Sequence, residues 1–503
     1  MKLKKQQLEA VNHKSGPLRI IAGARTGKTS VITQRILRIL KEEEIKSNEI
    51  LALTFTEKAA AEMEERVDIE MPYGYEEMWI STFHSFCDRI LKQEGIFIGL
   101  DPNYKLMTQA ESYIFFRQHL FEFPLEKFPP LGNPTQFIGD ILKHFSRLQD
   151  EDVSADDYLG YVKEMPKSSA EEKEEYETAK ELAETYKMYE DLKIDNSKLD
   201  FADLITTTLR LFRTRPALLK KYHERFKHVL VDEYQDTNFT QNVLVNMLVL
   251  GVEPEKATKE QRKDANITVV GDDDQSIYKF RGAAISNILQ FKEAYPTARK
   301  VVLTDNYRSK QEILDAAYKL ISNNNPYRLE VTESISKKLQ QAKQFDNSDN
   351  PVNVVFANSA AGEDDRVAQE IVELTNHGKG KDGRYTYNDI AILVRAHNHS
   401  DDFVQALRYY GVPYKFGGAR GLYSRPEVLV LISFLRALVD NGDETSLFNL
   451  VSMPELSLDA REVVEILKEA KRRKSSTFEV IEGIVGKRAG SKKGEPIEVK
   501  YKP

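Results

Sequence analysis

Cysteine is almost absent from this sequence, in which Cys87 is the only one among 503 residues. A single thiol excludes disulfide bonds within the chain, and it excludes a zinc or iron–sulfur site built on several cysteines. The neighbours of Cys87 are apolar and aromatic, so we expect a buried structural thiol rather than a reactive one.

Long apolar runs and an excess of positive charge are also missing. No stretch of about 18 apolar residues occurs, and residues 1–6 lack the apolar core of a signal peptide. We therefore predict a soluble, cytoplasmic protein without a membrane partner. The formal net charge of −7 argues against a uniformly basic nucleic-acid binder. It does not exclude a DNA motor, because such a motor can confine its positive charge to one channel.

A glycine-containing loop follows the first apolar segment. Its residues are Ala22, Gly23, Ala24, Arg25, Thr26, Gly27, Lys28 and Thr29. A predicted strand at 18–21 precedes the loop, and a predicted helix at 29–40 follows it, with apolar residues at helical spacing. Such a helix points its N–H groups and positive dipole end at bound phosphates. The pattern predicts a phosphate loop in which Lys28 contacts phosphate and Thr29 contacts Mg²⁺.

An acidic segment follows another apolar strand about two hundred residues later. Asp232 and Glu233 come directly after the apolar residues 229–231. Phosphoryl transfer needs one carboxylate for Mg²⁺ and a second that orients the attacking water, and ligand sites in open α/β sheets lie at strand ends. We predict Asp232 as the second Mg²⁺ ligand and Glu233 as the catalytic carboxylate of an ATP-hydrolysing motor. The alternative is a solvated turn after a strand.

Four further segments carry motifs, in a fixed order along the chain. Residues 51–63 and 80–86 lie between the phosphate loop and the acidic segment, and residues 269–283 and 303–309 lie after it. Together with the loop and the acidic segment, this series resembles the UvrD/PcrA/Rep-like family of superfamily 1 DNA helicases. The resemblance extends from about Leu3 to about residue 480.

The resemblance implies a fold of the α/β class, with RecA-like P-loop NTPase motor domains and helical insert domains. It also implies an ATP-dependent 3′-to-5′ DNA helicase or translocase. Such a motor acts on single-stranded or partly duplex DNA in repair or recombination. ATP and Mg²⁺ are the cofactors expected on this basis.

Several nucleotide-contacting roles follow from the same resemblance. Gln7 matches the family glutamine that pairs with adenine, since its amide offers both a donor and an acceptor, and Tyr307 would stack on that base. Gln275 would sense the γ-phosphate. Arg308 would reach the same phosphate from the second motor domain, as a planar fork suited to phosphate oxygens.

Four ring-bearing side chains match family positions that contact single-stranded DNA. They are Phe55, His84, Tyr278 and Phe280. Aromatic faces suit this task because any base stacks on them, for ~1–3 kcal/mol. The alternative for each is ordinary core packing, since Phe and Tyr are common interior residues.

The chain departs from the family pattern in four places. Arg25 stands where the family loop usually carries glycine, Phe280 where tryptophan is usual, and Ser30 where a basic residue often follows the loop threonine. After residue 430, neither the His-x-x-Lys-Gly-Leu-Glu-type segment nor the Thr-Arg-Ala-type segment of the family is found. We therefore expect the N-terminal part of a longer helicase, with a C-terminal half or a nuclease or repair partner elsewhere.

Arg25 allows two opposite interpretations. A glycine lets the loop wrap closely around phosphates, and forcing another residue into such a backbone conformation costs ~1–3 kcal/mol. On that basis Arg25 weakens ATP binding. Alternatively, the guanidinium points outward into solvent and has no effect.

Motif positions predict the division of the chain. At ~100–200 residues per domain, 503 residues leave room for three or four domains. We place the first RecA-like domain at residues 1–88 and 200–285 and a helical insert at 89–199. An incomplete second RecA-like domain follows at 286–428, and the start of a second helical insert with a flexible tail occupies 429–503.

Local patterns predict elements in the last two parts. We predict strands at 389–395 and 414–420 and a helix at 403–410. The family resemblance implies that segments 447–458 and 460–471 continue the second helical insert. The Gly-, Ser- and Lys-rich residues 486–494 are interpreted as disorder or a loose linker, with a nucleic-acid contact as the alternative.

Two alternatives to an active helicase stay open. Arg25 and the missing segments favour a subunit that binds DNA or nucleotide without hydrolysis. The other alternative is the motor part of a helicase–nuclease complex whose nuclease lies elsewhere, since this sequence contains no convincing nuclease carboxylates.

Overall fold

The structure is a computed structural model of the chain. It describes residues 3–42, 45–71, 78–128, 134–278, 285–344, 352–375, 385–416, 426–453, 460–473 and 475–484. The chain forms two compact units, residues 1–352 and 353–503.

A parallel β-sheet forms the centre of the first unit. Its six strands stand in the order β3-β2-β6-β7-β1-β8, and two short parallel pairs, β4-β5 and β9-β10, lie outside it. The strands are β1 (Leu18–Ala22), β2 (Ile50–Thr54), β3 (Trp79–Thr82), β4 (Lys105–Leu106), β5 (Lys198–Leu199), β6 (His228–Val231), β7 (Ile267–Gly271), β8 (Arg299–Leu303), β9 (Asp305–Asn306) and β10 (Gln340–Gln341).

Helices cover both faces of this sheet, so its central strands are buried and mostly apolar, although Arg19 in β1 and Thr268 in β7 are polar. Ile20 packs into the core on one face, and the next residue, Ile21, packs into the core on the other. The helices that follow or flank the sheet strands are α1 (Lys5–Val11), α2 (Lys28–Glu42), α3 (Glu57–Glu70), α4 (Phe83–Glu94), α9 (Phe201–Thr214), α10 (Pro216–Arg225), α11 (Phe239–Leu250), α12 (Lys259–Asp264), α13 (Ile285–Ala294), α14 (Gln311–Ile321) and α15 (Leu329–Thr332). The α/β class predicted from the sequence is confirmed.

Between β4 and β5 the chain forms helices with a core of their own. These helices are α5 (Gln109–Gln118), α6 (Ile138–Asp150), α7 (Ala155–Glu164) and α8 (Ala170–Asp195). The pairing of Lys105 with Lys198 joins the chain entering the insert to the chain leaving it. The predicted start at residue 89 is too early, because Ile90 and Leu91 belong to α4 and pack into the main core.

The predicted boundary at residue 285 is also too early. Strand β8 pairs in parallel with β1, with Arg299 opposite Leu18 and Leu303 opposite Ala22. The first sheet therefore continues to residue 303. Motif spacing did not reveal this, because the pairing joins distant parts of the chain.

Six α-helices lie among the described residues of the second unit. They are α16 (Ala360–Thr375), α17 (Ser400–Tyr409), α18 (Pro426–Val439), α19 (Glu444–Val451), α20 (Ala460–Arg473) and α21 (Thr477–Ile484). The predicted strand at 389–395 is wrong. Residues 387–389 form a short 3₁₀ turn, and residues 390–395 lack a strand partner within the described part of the unit.

Several smaller predictions have clear outcomes. The helix predicted at 403–410 is confirmed by α17, and residues 460–471 lie within α20. Residues 414–416 form no strand, and residues 417–420, 454–458 and 486–494 lie outside the described residues. Cys87 is fully buried, and burial raises the pKa of its thiol to about 12, so the predicted buried thiol is confirmed.

Candidate nucleotide and nucleic-acid site

The predicted phosphate loop and acidic segment meet at one edge of the central sheet. The loop follows β1, the acidic segment follows β6, and Gln275 follows β7, which pairs with both of those strands. Because the strands are parallel, their carboxyl ends lie at the same edge, where open α/β sheets bind ligands. Three segments that are far apart in sequence thus form one site.

Lys28 lies at the centre of this site. Its Nζ is 2.6 Å from Glu233 Oε2 and 3.4 Å from Gln275 Oε1. The Lys28 side chain is 10% exposed and that of Glu233 is 33% exposed. A solvent-accessible carboxylate therefore balances the charge of a mostly buried ammonium group.

Asp232 is buried beside this pair. Burial, together with the neighbouring Glu233 carboxylate, raises the pKa of Asp232 to about 6. Its Oδ1 accepts a hydrogen bond from the Glu233 backbone N–H at 2.9 Å. A buried carboxylate with a raised pKa has an unmet need for positive charge, which a cation would supply.

Glu233 has an unusual backbone conformation. Its φ is +48°, in the left-handed region, which costs a non-glycine residue ~1–3 kcal/mol and is concentrated at functional sites. Gln235 Nε2 donates a hydrogen bond to Glu233 Oε2 at 2.8 Å, and Gln235 Oε1 accepts one from the Asp272 backbone N–H at 3.0 Å. Gln235 therefore ties the acidic segment to the loop after β7.

Gln275 faces Lys28 from that loop. Its Nε2 donates to Asp272 Oδ2 at 2.7 Å and, more weakly, to the Ala22 carbonyl at 3.3 Å. The amide oxygen is thereby directed toward Lys28. Gln275 thus contacts both the phosphate loop and its own loop.

Gln7 and Tyr307 lie against the phosphate loop from different elements. Gln7 Nε2 donates to the Thr26 carbonyl at 3.0 Å, and the Tyr307 backbone N–H donates to the Arg25 carbonyl at 3.2 Å. A side chain at Gly27, where φ is +89°, would place its Cβ 2.7 Å from Gln7 Nε2. The loop therefore requires glycine at this position.

Arg25 occupies a strained position in the loop. Its φ is +55° and the residue is exposed. Asn306 Nδ2 holds the preceding Ala24 carbonyl at 2.7 Å. The left-handed backbone fits the first interpretation of Arg25, and the exposure of the residue fits the second.

Thr29 and Arg308 complete the predicted nucleotide residues. Thr29 lies in the first turn of α2, and its carbonyl accepts a hydrogen bond from Thr33 Oγ1 at 2.9 Å. Arg308 is exposed, and its backbone N–H donates to Asn306 Oδ1 at 2.9 Å. Arg308 belongs to the first compact unit, whereas the sequence predicted it on a separate second motor domain.

Three of the four predicted DNA-contacting residues lie within the described residues, and Phe280 lies outside them. The rings of Phe55 and Tyr278 stack with centroids 5.3 Å apart and an angle of 25°. His84 meets Phe201 edge-on at 5.9 Å, and burial lowers its pKa. Phe55, His84 and Phe201 line one cavity, so one or more members of each pair border the same surface.

Other site residues were missed by the sequence reasoning. Asp272 and Asn306 lie inside motif segments that the sequence analysis identified, and Gln235 lies two residues after Glu233. Their positions in the sequence could therefore have indicated a role in the site. Leu339 carried no such signal. A Cβ on Gly23 would lie 2.6 Å from Leu339 Cδ2, so Leu339 covers the phosphate loop from a segment without a recognised motif.

Within the described part of the chain, no helix combines the length and apolar character needed to cross a membrane.

Two family models match the chain. Residues 3–296 match the UvrD/REP helicase N-terminal domain, and residues 301–487 match the UvrD-like helicase C-terminal domain. The expectation that the C-terminal part of the family is absent from this chain is therefore wrong. That expectation relied on two short segments, whereas the second model matches most of the chain after the central sheet.

Similar proteins include ATP-dependent DNA helicases named PcrA. The chain is 33% identical to PcrA of Bacillus subtilis (strain 168) over 478 residues and 34% identical to PcrA of Staphylococcus aureus (strain NCTC 8325 / PS 47) over 481 residues. Each alignment covers 95% of this chain and 59% of the relative, so the chain spans about three fifths of the length of these relatives. The predicted resemblance and its RecA-like fold class are confirmed, and the chain belongs to the UvrD/REP helicase family.

Proposed function

We propose that this chain is the motor of an ATP-dependent DNA helicase or translocase that moves 3′ to 5′ along single-stranded DNA in repair or recombination. The observation that carries the proposal is the convergence of Lys28, Glu233 and Gln275 at one sheet edge. The PcrA relatives are ATP-dependent DNA helicases, which supports the same activity for this chain.

The contacts of Lys28 suggest how nucleotide binding activates Glu233. In the structure, Lys28 is paired with Glu233 at 2.6 Å. A phosphate that binds the loop offers Lys28 a stronger charge-assisted partner. Glu233 is then released to accept a hydrogen bond from the attacking water, while Gln275 and the exposed Arg308 contact the γ-phosphate.

The adenine is proposed to lie between Gln7 and Tyr307, which both contact the phosphate loop. Residues Ala22 to Thr29 would surround the phosphates, with the N-terminus of α2 directed at them. In this proposal Gln7 recognises the base and Tyr307 stacks on it.

Asp232 and Thr29 fit a magnesium ion. Carboxylate and hydroxyl oxygens are ligands that Mg²⁺ accepts together with substrate phosphates, and the raised pKa of Asp232 marks a place where positive charge is missing. When bound, the ion would neutralise charge on the β- and γ-phosphates. Asp232 and Thr29 would hold it beside Lys28.

Single-stranded DNA is proposed to contact Phe55, His84 and Tyr278, with Phe280 following in sequence. Phe55 follows β2, and Tyr278 lies three residues after Gln275. A movement of Gln275 in response to the γ-phosphate would therefore reach a base-stacking ring over a short stretch of chain. Partly duplex DNA and a nuclease or repair partner remain predictions of the family resemblance.

The division into motor domains and inserts is likewise proposed. The first motor domain comprises the central sheet through β8, interrupted by α5 to α8. The remaining residues would supply the second motor domain and a second helical insert.

A nucleotide- or DNA-binding protein without hydrolysis is the second candidate, and the strained Arg25 favours it. Steady-state ATPase measurements with and without single-stranded DNA separate the two candidates. An active motor hydrolyses ATP faster when DNA is present. Nucleotide binding without turnover in either condition would favour the second candidate.

Magnesium-dependent nucleotide binding is expected to weaken on acidification. The pKa of Asp232 is raised to about 6, so its carboxylate is charged above that pH and is protonated below it. Protons then compete with the cation, and binding should be about fourfold weaker near pH 5.5 than near pH 7.5. Isothermal titration of ADP at a fixed magnesium concentration measures this difference.

The control for this experiment is Asp232→Asn, which cannot titrate. Protonation of the nucleotide affects both proteins equally, and Asp236, whose pKa burial also raises to about 6, is present in both. An equally steep pH dependence of ADP binding in the Asn variant would show that the nucleotide or Asp236, and not Asp232, is the group that titrates.

Tyr278→Ala is expected to weaken binding of single-stranded DNA by ~1 kcal/mol, about fivefold. The estimate is at the low end for stacking because Phe55 remains available to a base. Fluorescence anisotropy with a labelled oligothymidylate measures the affinity. Tyr161→Ala serves as the control, since Tyr161 is an exposed tyrosine on the insert. Unchanged affinity together with a lower melting temperature would show that Tyr278 only packs against Phe55.

A further inference from the structure

Three consecutive aspartates, Asp272 to Asp274, follow β7 and surround one buried ammonium group. Lys337 Nζ lies 2.5 Å from Asp272 Oδ1 and 2.7 Å from Asp274 Oδ2, and it also contacts Asp273. The Lys337 side chain is 4% exposed. The ammonium therefore occupies the place between the carboxylates that a metal ion would otherwise take.

Asp272 links Lys337 to the nucleotide site. One of its oxygens contacts Lys337, and the other accepts the hydrogen bond from Gln275 Nε2 at 2.7 Å. Gln275 Oε1 in turn lies 3.4 Å from Lys28 Nζ. An unbroken series of polar contacts thus runs from Lys337 to the lysine of the phosphate loop.

Lys337 is not the only residue that attaches segment 328–337 to the loop after β7. Arg328 binds both oxygens of Asp274, each at 2.7 Å, and the Leu329 backbone N–H donates to Asp273 Oδ2 at 2.9 Å. Of the two buried cations, Lys337 is the one that contacts Asp272 in the described part of the chain. Its contact therefore acts on the residue that orients Gln275.

The segment that carries Lys337 also touches the phosphate loop. Leu339 covers Gly23, and strand β10 pairs with β9, where Gln341 lies opposite Asn306. Asn306 holds the Ala24 carbonyl. A shift of this segment would reach both sides of the proposed γ-phosphate site.

We propose that Lys337 is a positioning residue for the sensing of a nucleoside triphosphate: by clamping Asp272, it holds the Gln275 amide toward the γ-phosphate. The inference rests on the proposed function, which places a nucleotide beside Lys28 and Gln275. Its measurable consequence is the preference of the protein for a triphosphate over a diphosphate.

The test compares Lys337→Met with Lys338→Met. Lys338 is the matched control because it is the next residue, its side chain is 54% exposed, and its partner Asp315 lies 3.1 Å away at the surface. The dissociation constants of AMP-PNP and ADP are measured for both variants and for the wild-type protein, with magnesium present. Lys337→Met should reduce the preference for AMP-PNP over ADP by about threefold or more, while Lys338→Met leaves it unchanged.

A second variant covers the case in which Lys337→Met does not fold. Lys337→Met combined with Asp273→Asn removes one charge of each sign, so the cluster keeps its net charge while Asp272 still lacks its cation. This double variant should fold and show the same reduced preference. A wild-type preference in either folded variant would overturn the proposal, and so would a wild-type protein that binds AMP-PNP and ADP equally.

Failure of the proposed function is seen in a different measurement. A wild-type protein that prefers AMP-PNP yet hydrolyses no ATP, with or without DNA, would contradict the motor. The role of Lys337 would still be decided by the ratio of the two affinities.

Discussion

Glu233→Gln is expected to lower ATP turnover at least tenfold while nucleotide binding is kept. The substitution retains the size of the side chain but removes the negative charge that orients the water. It also weakens the contact with Lys28, which lies 2.6 Å from Glu233 in the structure. Lys28 is then freer to bind phosphate, so affinity should be unchanged or higher. Steady-state ATPase assays and titration with AMP-PNP measure the two effects separately.

Glu94→Gln is the matched control for this variant. Glu94 also pairs with a lysine at 2.6 Å, Lys221, in the same compact unit, but it is not part of the nucleotide site. Its substitution should leave the turnover rate close to that of the wild-type protein. Full turnover in Glu233→Gln would remove Glu233 from catalysis and favour its being a structural partner of Lys28.

Arg25→Gly is expected to tighten ATP binding by about five- to a hundredfold, which corresponds to ~1–3 kcal/mol. Arg25 has a φ of +55°, a conformation that glycine adopts without strain. The arginine chain bears this cost in the loop conformation proposed to surround the phosphates. The attraction between an exposed guanidinium and phosphate favours binding by less than about 1 kcal/mol. The backbone cost should therefore dominate the effect on ATP affinity. Titration with a fluorescent ATP analogue in the presence of Mg²⁺ measures the difference.

Two further variants separate the backbone from the charge. Arg25→Ala removes the guanidinium but keeps a Cβ, so it should not bind ATP more tightly. Ser197→Gly relieves another left-handed residue, at φ +50°, and should leave ATP affinity unchanged. Equal or weaker binding by Arg25→Gly would show that the loop tolerates arginine.

The sequence alone was sufficient to predict helices and strands whose pattern is set by residues close together in the chain. The apolar run at residues 229–231 predicted β6, and the helical spacing after Lys28 predicted α2, because side-chain periodicity follows directly from local backbone geometry. Gln275 was identified through the family resemblance, and the loop and the acidic segment from their residues. Their residue types are those that phosphate and cation chemistry requires, whatever their position in space.

Predictions failed where an element depends on a partner. Residues 390–395 have an apolar strand pattern, but a strand forms only when a neighbouring chain supplies hydrogen bonds, and the described part of the second unit contains no such partner. Residues 299–303 were assigned to the second domain, yet they complete the first sheet by pairing with β1. Pairing between distant segments has no local signal.

The sequence by itself determined the family, the α/β class and the residue types of the nucleotide site. The tertiary structure decided that Lys28 is paired with Glu233, that Arg25 holds a left-handed backbone, and that Lys337 clamps Asp272. Lys337 and Leu339 belong to no recognised motif, so only folding brings them to the site. The physical reason is that the orientation and protonation of a buried group depend on the charges around it in space, and a one-dimensional pattern does not specify those neighbours.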